Sequence, residues 1–335
     1  MTYREDRRQF LRQAAGWMAG AWGLSARGRQ LLGAAGRKSR VVIVRDRRLT
    51  TASGEQKRQL YRQLLNRGLR HLLGASGPAA WGQLFSPRDV VGIKVNCLGG
   101  AGISTQVELA YAIAEGVHSA GVPWENIVIF DRTARDLMAA GYPLSTAPGK
   151  VRVYGTDAPF AGYEERVTTR GEIASKLSRI VTEHCTALIN VPILKDHEIA
   201  GLTAALKNYF GVINNPNKYH GNHCDPYIAV LNALPVIRHK QKLIIGDATT
   251  VLYEGGPHDR PEYHWPYGGL FLSRDPVALD QMAWALIERI RKHKGLSTLQ
   301  AAGRAPTYIA TAAKSPYRLG VNNPYQIDLR QEQLA

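Results

Sequence analysis

Short β-branched runs alternate with longer stretches of helical periodicity along most of the chain. Residues 41–44 (Val-Val-Ile-Val) predict a strand, and a helix follows over about 56–73, with Leu60, Leu64, Leu65, Leu69 and Leu72 on one face. Residues 90–95 predict a second strand, which ends in a glycine loop and leads into a helix over about 105–120. Further apolar runs at 127–130, 151–154, 187–191, 243–245 and 269–272 predict strands, and Pro276 opens a long helix to about residue 292. Strands that are apolar on both faces and alternate with helices predict an α/β fold with a mostly parallel sheet and helices on both faces. Residues 41–335 read as a single domain. The irregular stretch 214–226 is expected to form a small lobe around the site.

The composition fits a folded chain. Of 335 residues, 44% are hydrophobic and 21% charged, which excludes a disordered, collagen-like or disulfide-scaffold protein. No run approaches the roughly 20 uninterrupted apolar residues of a membrane span. Charge changes the picture: 43 Lys+Arg against 27 Asp+Glu give +16. Residues 1–40 hold nine bases (Arg4, Arg7, Arg8, Arg12, Arg27, Arg29, Arg37, Lys38, Arg40) and two acids, so they supply +7 and leave +9 to the rest. The order Arg7-Arg8-Gln9-Phe10-Leu11-Arg12, followed by an uncharged run to Ala26, resembles a twin-arginine export signal. That resemblance implies a periplasmic or otherwise exported protein, carried by the twin-arginine machinery and tethered to the membrane if the signal is not cleaved. Nucleic acid is not expected as a partner, because the bases show no aromatic interleaving.

Cys97, Cys185 and Cys224 form no Cys-x-x-Cys pair, so this chain has no iron–sulfur motif; one disulfide is allowed. The densest reactive cluster lies between Asn190 and Asp225. His220, His223 and Cys224 have the spacing of metal ligands, and His197 could supply a fourth. Lys207 falls beside an apolar helical face, where an ammonium is costly unless it is paired or functional. Lys195, beside Asp196, reads as a loop charge or a catalytic partner. The loop Lys94-Val95-Asn96-Cys97-Leu98-Gly99-Gly100-Ala101-Gly102-Ile103-Ser104 joins a strand to a helix start, an arrangement that can turn amides toward an anion. Lys94, Asn96, Gly99, Gly100, Ser104 and Asp247 are therefore candidate ligand contacts. Asp131, Asp275 and Asp280 complete the acidic candidates. No serine-hydrolase elbow or zinc-protease motif is present.

Residues 91–96, 190–197, 205–211, 246–248 and 273–280 resemble the domain-of-unknown-function family numbered 362, over roughly 85–295. His197, Ala200-Gly201, Thr203, Lys207 and His223 are also spaced like a motif of the nickel-pincer lactate racemases. That resemblance implies an acid/base histidine at 197, a cofactor-bearing lysine at 207 and a nickel ligand at 223. The second acid/base histidine of the racemases has no counterpart in the loop from Gly99 to Thr105, and two-base racemisation needs a proton donor on each face of the carbon. The sequence thus leads to an exported protein binding a metal or metallocofactor. It would act as an oxidoreductase or a racemase-like enzyme on a small anionic substrate, with His197, Lys195 and Lys207 as the catalytic set. The other reading is a non-catalytic protein that delivers a metal or cofactor, or serves a redox partner in the cell envelope.

Overall fold

A computed structural model describes residues 38–335. The arginine-rich leader expected over residues 1–40 lies almost wholly outside them. Strands β1 (Ser39–Arg45), β2 (Val91–Lys94), β3 (Ile127–Asp131) and β4 (Arg152–Gly155) are followed by a hairpin of β5 (Thr168–Arg170) and β6 (Ile173–Ser175). Then come β7 (Ala187–Asn190), β8 (Ile193–His197), β9 (Gly201–Thr203), β10 (Gln241–Leu252), β11 (His264–Ser273) and β12 (Ile327–Gln333). The main sheet runs β12-β1-β11-β10-β7-β2-β3-β4, with β8 and β9 attached to β10. Strands β4, β3, β2, β7 and β10 are parallel, as are β1 and β12, and β11 runs against both of its neighbours. The expected mostly parallel α/β sheet is present.

Period-two alternation divides the core between the two faces. Val42 and Val44 of β1 and Ile127 and Ile129 of β3 pack under α1 (Gly54–Leu73) and α2 (Val107–Ser119). Val41, Ile43, Val128 and Phe130 face the other way. There they join α3 (Ala205–Asn208), α4 (Tyr227–Asn232) and α5 (Pro276–His293). Helix α1 shows the predicted leucine stripe, buried at Leu60, Leu64, Leu65 and Leu69. Asp275 caps α5 by accepting from Ala278 N at 2.8 Å, which gives that candidate a structural task.

Strand β8 was not predicted. After β7 ends at Asn190, the chain passes Val191-Pro192 and takes up pairing with β10 further along, Asp247 opposite Ile193. Sequence 214–226 forms short turns against the β5–β6 hairpin, where Tyr219 Oη accepts from Ala174 N at 2.9 Å. Asn222, His223 and Cys224 have left-handed φ values of 49°, 55° and 65°, an uncommon run for non-glycine residues. All three cysteines are buried and free. No helix among the described residues is long and apolar enough to cross a membrane.

Candidate functional site

Three neighbouring parallel strands end on polar side chains: Lys94 closes β2, Asp131 closes β3 and Asn190 closes β7. Beyond these carboxyl ends, where open α/β sheets bind ligands, lies a cavity of about 390 Å³. Its wall is completed by Lys195 and His197 of β8, Lys207 and Asn208 of α3, His220, and the loop at Pro257-His258.

The floor is a closed hydrogen-bond network. Lys94 Nζ donates to Asp131 Oδ1 at 2.7 Å, Val95 O at 2.6 Å and Asn208 Oδ1 at 3.2 Å, so its three N–H groups are spent. Asp131 Oδ2 accepts from Cys97 N at 2.7 Å and Oδ1 from Arg132 N at 2.8 Å. Asn208 is the hub. Its amide donates to Lys94 O at 3.2 Å and Asn190 Oδ1 at 2.8 Å, and its oxygen also accepts from Asn96 at 3.3 Å. Asn190 in turn donates to Ala205 O at 2.8 Å. The α3 turn is held from behind by Asp280 of α5, whose carboxylate accepts from Ala205 N at 2.7 Å and Leu206 N at 3.1 Å. Asn96 Oδ1 is buried with no partner.

The remaining lysines differ from Lys94. Lys195 is 1% exposed and donates to Pro257 O at 2.9 Å; Lys207 Nζ sits 3.4 Å from His220 Nε2. Neither forms an ion pair with a carboxylate among the described residues. Burial, joined at Lys195 by the charge of Lys207, pushes both amines down to about 8.

Of the three histidines that line the cavity, His197 and His220 stack, with centroids 5.6 Å apart. His197 Nδ1 accepts from Ile199 N and Ala200 N, each at 3.2 Å, so the neutral ring carries its proton on Nε2. Burial, then the Lys207 charge, holds its pKa far below the ordinary histidine range. His220 has the opposite tautomer: Nδ1 donates to Pro216 O at 3.1 Å, leaving a lone pair on Nε2. Burial and Lys207 also lower its pKa.

The other candidates are placed elsewhere. His223 Nδ1 bonds Ile199 O at 2.9 Å, and neither His223 nor Cys224 lines the cavity. Among the described residues no group of three or more His, Cys, Asp or Glu side chains is gathered to hold a metal ion. Two amides of the glycine loop close it on itself: Gly100 N donates to Cys97 O at 3.1 Å and Thr105 N to Asn96 O at 2.9 Å. Gly99, Gly100 and Ser104 do not line the site; Ser104 lines a separate hollow at the start of α2. Asp247 is wholly buried, accepts from Gln106 N at 2.9 Å and Thr249 N at 2.9 Å, and so holds the entry to α2.

Arg304 has no warning in the local sequence. It bridges both oxygens of Asp196, at 2.9 and 2.8 Å, and Glu254 at 2.7 Å, and it fixes β8 from outside the pocket. Pro257 and His258, which also line the cavity, sit in a loop with no local signal of that role.

Fold and site together define an α/β protein with a cavity at its strand ends into which three lysines and two stacked histidines project from a largely apolar wall. The chain belongs to the family described as domain of unknown function DUF362, whose model matches residues 91–285. No curated protein matches it. A crystal structure of a Thermotoga maritima protein is similar at 11% identity and a TM-score of 0.41, covering 69% of this chain; the match spans 59% of that protein.

Proposed function

We propose that the chain binds a small anionic ligand, a carboxylate or phosphate ester, in the strand-end cavity and moves a proton on it. The carrying observation is the pair Lys195 and Lys207, buried amines that line a cavity and lack a carboxylate partner among the described residues. An anion there would give Lys195 and Lys207 the direct counter-charge that Asp131, Asp136 and Glu198, which also line the cavity, do not supply by ion pairing. His197 presents an N–H to a ligand oxygen, because its lone pair is already used. The base role accordingly passes to His220, whose Nε2 lone pair is within reach of Lys207.

Calorimetry with malonate and with inorganic phosphate tests this reading. We expect saturable binding that weakens with salt and falls about tenfold or more in Lys195→Met, the loss of roughly one charge-assisted hydrogen bond. Millimolar malonate and phosphate both failing to bind would refute it.

A second reading, favoured by His197 and Lys207 sharing the pocket, is a metallocofactor that brings its own metal and is held through its anionic groups. Among the described residues the chain's own donors do not gather into a metal centre, so under this reading the metal would arrive with the cofactor. Under this reading the twin-arginine leader implies export of a loaded, folded protein. Intact mass and elemental analysis of protein recovered from its export compartment checks both points. An unprocessed mass with no transition metal would sink this second reading.

A further inference from the structure

We propose that Lys207 forms an imine with the carbonyl carbon of a small 2-oxo acid whose carboxylate is held by Lys195. The inference rests on the anionic-ligand reading and deepens it. The three buried lysines divide by what their amines already do. Lys94 has no free donor or open approach, since Asp131, Val95 and Asn208 take its three N–H groups. Lys195 spends one N–H on Pro257 O and keeps two for a carboxylate. Lys207 donates only to the His220 lone pair, and its Nζ lies 4.9 Å over the Phe210 ring, an apolar cover on that side. A buried amine beside a second cation and an unprotonated imidazole favours its neutral, nucleophilic form.

The step balances without an oxidant. The Lys207 lone pair adds to the carbonyl carbon, and the C–O π pair moves to oxygen, where the His197 N–H meets the developing charge. A nitrogen proton passes through His220 Nε2 to that oxygen and gives a carbinolamine. The C–O bond then breaks as the C–N double bond forms, and the hydroxyl leaves as water with the second nitrogen proton, again through His220. Amine plus ketone becomes imine plus water.

Pyruvate with cyanoborohydride as external hydride donor tests the proposal on the full chain, read by intact mass and peptide mapping. We expect one adduct per chain, on Lys207, absent in Lys207→Arg and slower to form in His220→Gln, with thermal melts confirming that both variants fold. Lys195→Met should cut pyruvate labelling about tenfold more than it cuts labelling by acetone, a ketone without a carboxylate, which reads only the loss of the neighbouring charge. Pyruvate binding by calorimetry with no adduct, or with adducts spread over surface lysines such as Lys38, would overturn the imine and leave the anion site standing. Absence of binding by both pyruvate and malonate would overturn both.

Discussion

Replacing Lys207 by methionine should stabilise the protein at neutral pH while weakening its hold on anions. Lys207 has an ordinary value of 10.5, lowered to about 8 by burial, so below pH 8 its charged form is carried into the fold at a cost. About 2.5 pH units at 1.36 kcal/mol each give a penalty of about 3 kcal/mol at pH 7. Losing the contact to His220 removes about 1 kcal/mol. Methionine matches the length of the apolar stem, so the net gain is about 2 kcal/mol. The sign follows from proton counting: between about pH 8 and 10.5 the unfolded chain holds more protons on Lys207 than the native one, so wild-type stability climbs with pH through that window. At pH 10 the penalty has shrunk to about 1 kcal/mol, and the variant's advantage disappears. Urea unfolding of both proteins at pH 7 and pH 10, without added anions, measures the two differences. A Lys207→Met variant that is less stable than wild type by the same amount at both pH values would refute the reasoning, since the amine would then be compensated in the fold.

Two other perturbations probe the floor and the outer brace. Gly211→Ala would set a methyl 2.7 Å from Lys94 Nζ and 2.9 Å from Asp131 Oδ1, so it should cost about 1–3 kcal/mol by thermal melt and weaken malonate binding as the floor shifts; a wild-type melt and affinity would contradict this. Arg304→Met leaves the wholly buried Asp196 without its cation, and urea unfolding should show a loss of about 3–5 kcal/mol at pH 7 that diminishes toward acid as the carboxyl protonates, whereas a loss independent of pH would indicate packing instead.

The strands that a ligand pocket needs were legible where apolar residues face both ways, as in residues 127–130 and 187–190. Strand β8 was not, because Lys195, Asp196 and His197 read as loop polarity. They are buried only because Arg304, Pro257 and the β9 backbone meet them from distant parts of the chain. Strand β12, Ile327–Gln333, carries Asp328, Arg330 and Glu332 and lies at the sheet edge, where an alternating apolar signal is not required. The direction of β11 leaves no trace in its hydrophobic pattern. Within the site, Lys94, Asn96, His197 and Lys207 stood out as chemically costly or clustered residues. Asn208 did not, since an amide gains its role only from the four groups around it. Ser104 is a candidate ligand contact because it follows a glycine loop at a helix start, and Asp247 because it follows an apolar strand run; the structure places both away from the strand-end cavity. The start of α2, far earlier in the chain, takes Asp247 for itself.

Asp280 ties the pocket to the helix packed behind it. It lies one turn into the 18-residue helix α5 and grips two amides of the four-residue turn that bears Lys207. A ligand that draws the Lys207 amine forward therefore pulls on a rod embedded in the core behind it. The buried packing of that rod makes it stiffer than a loop, so the pocket resists small distortions. Changes packed along α5, including ones that never touch a ligand, would set the resting position of the amine.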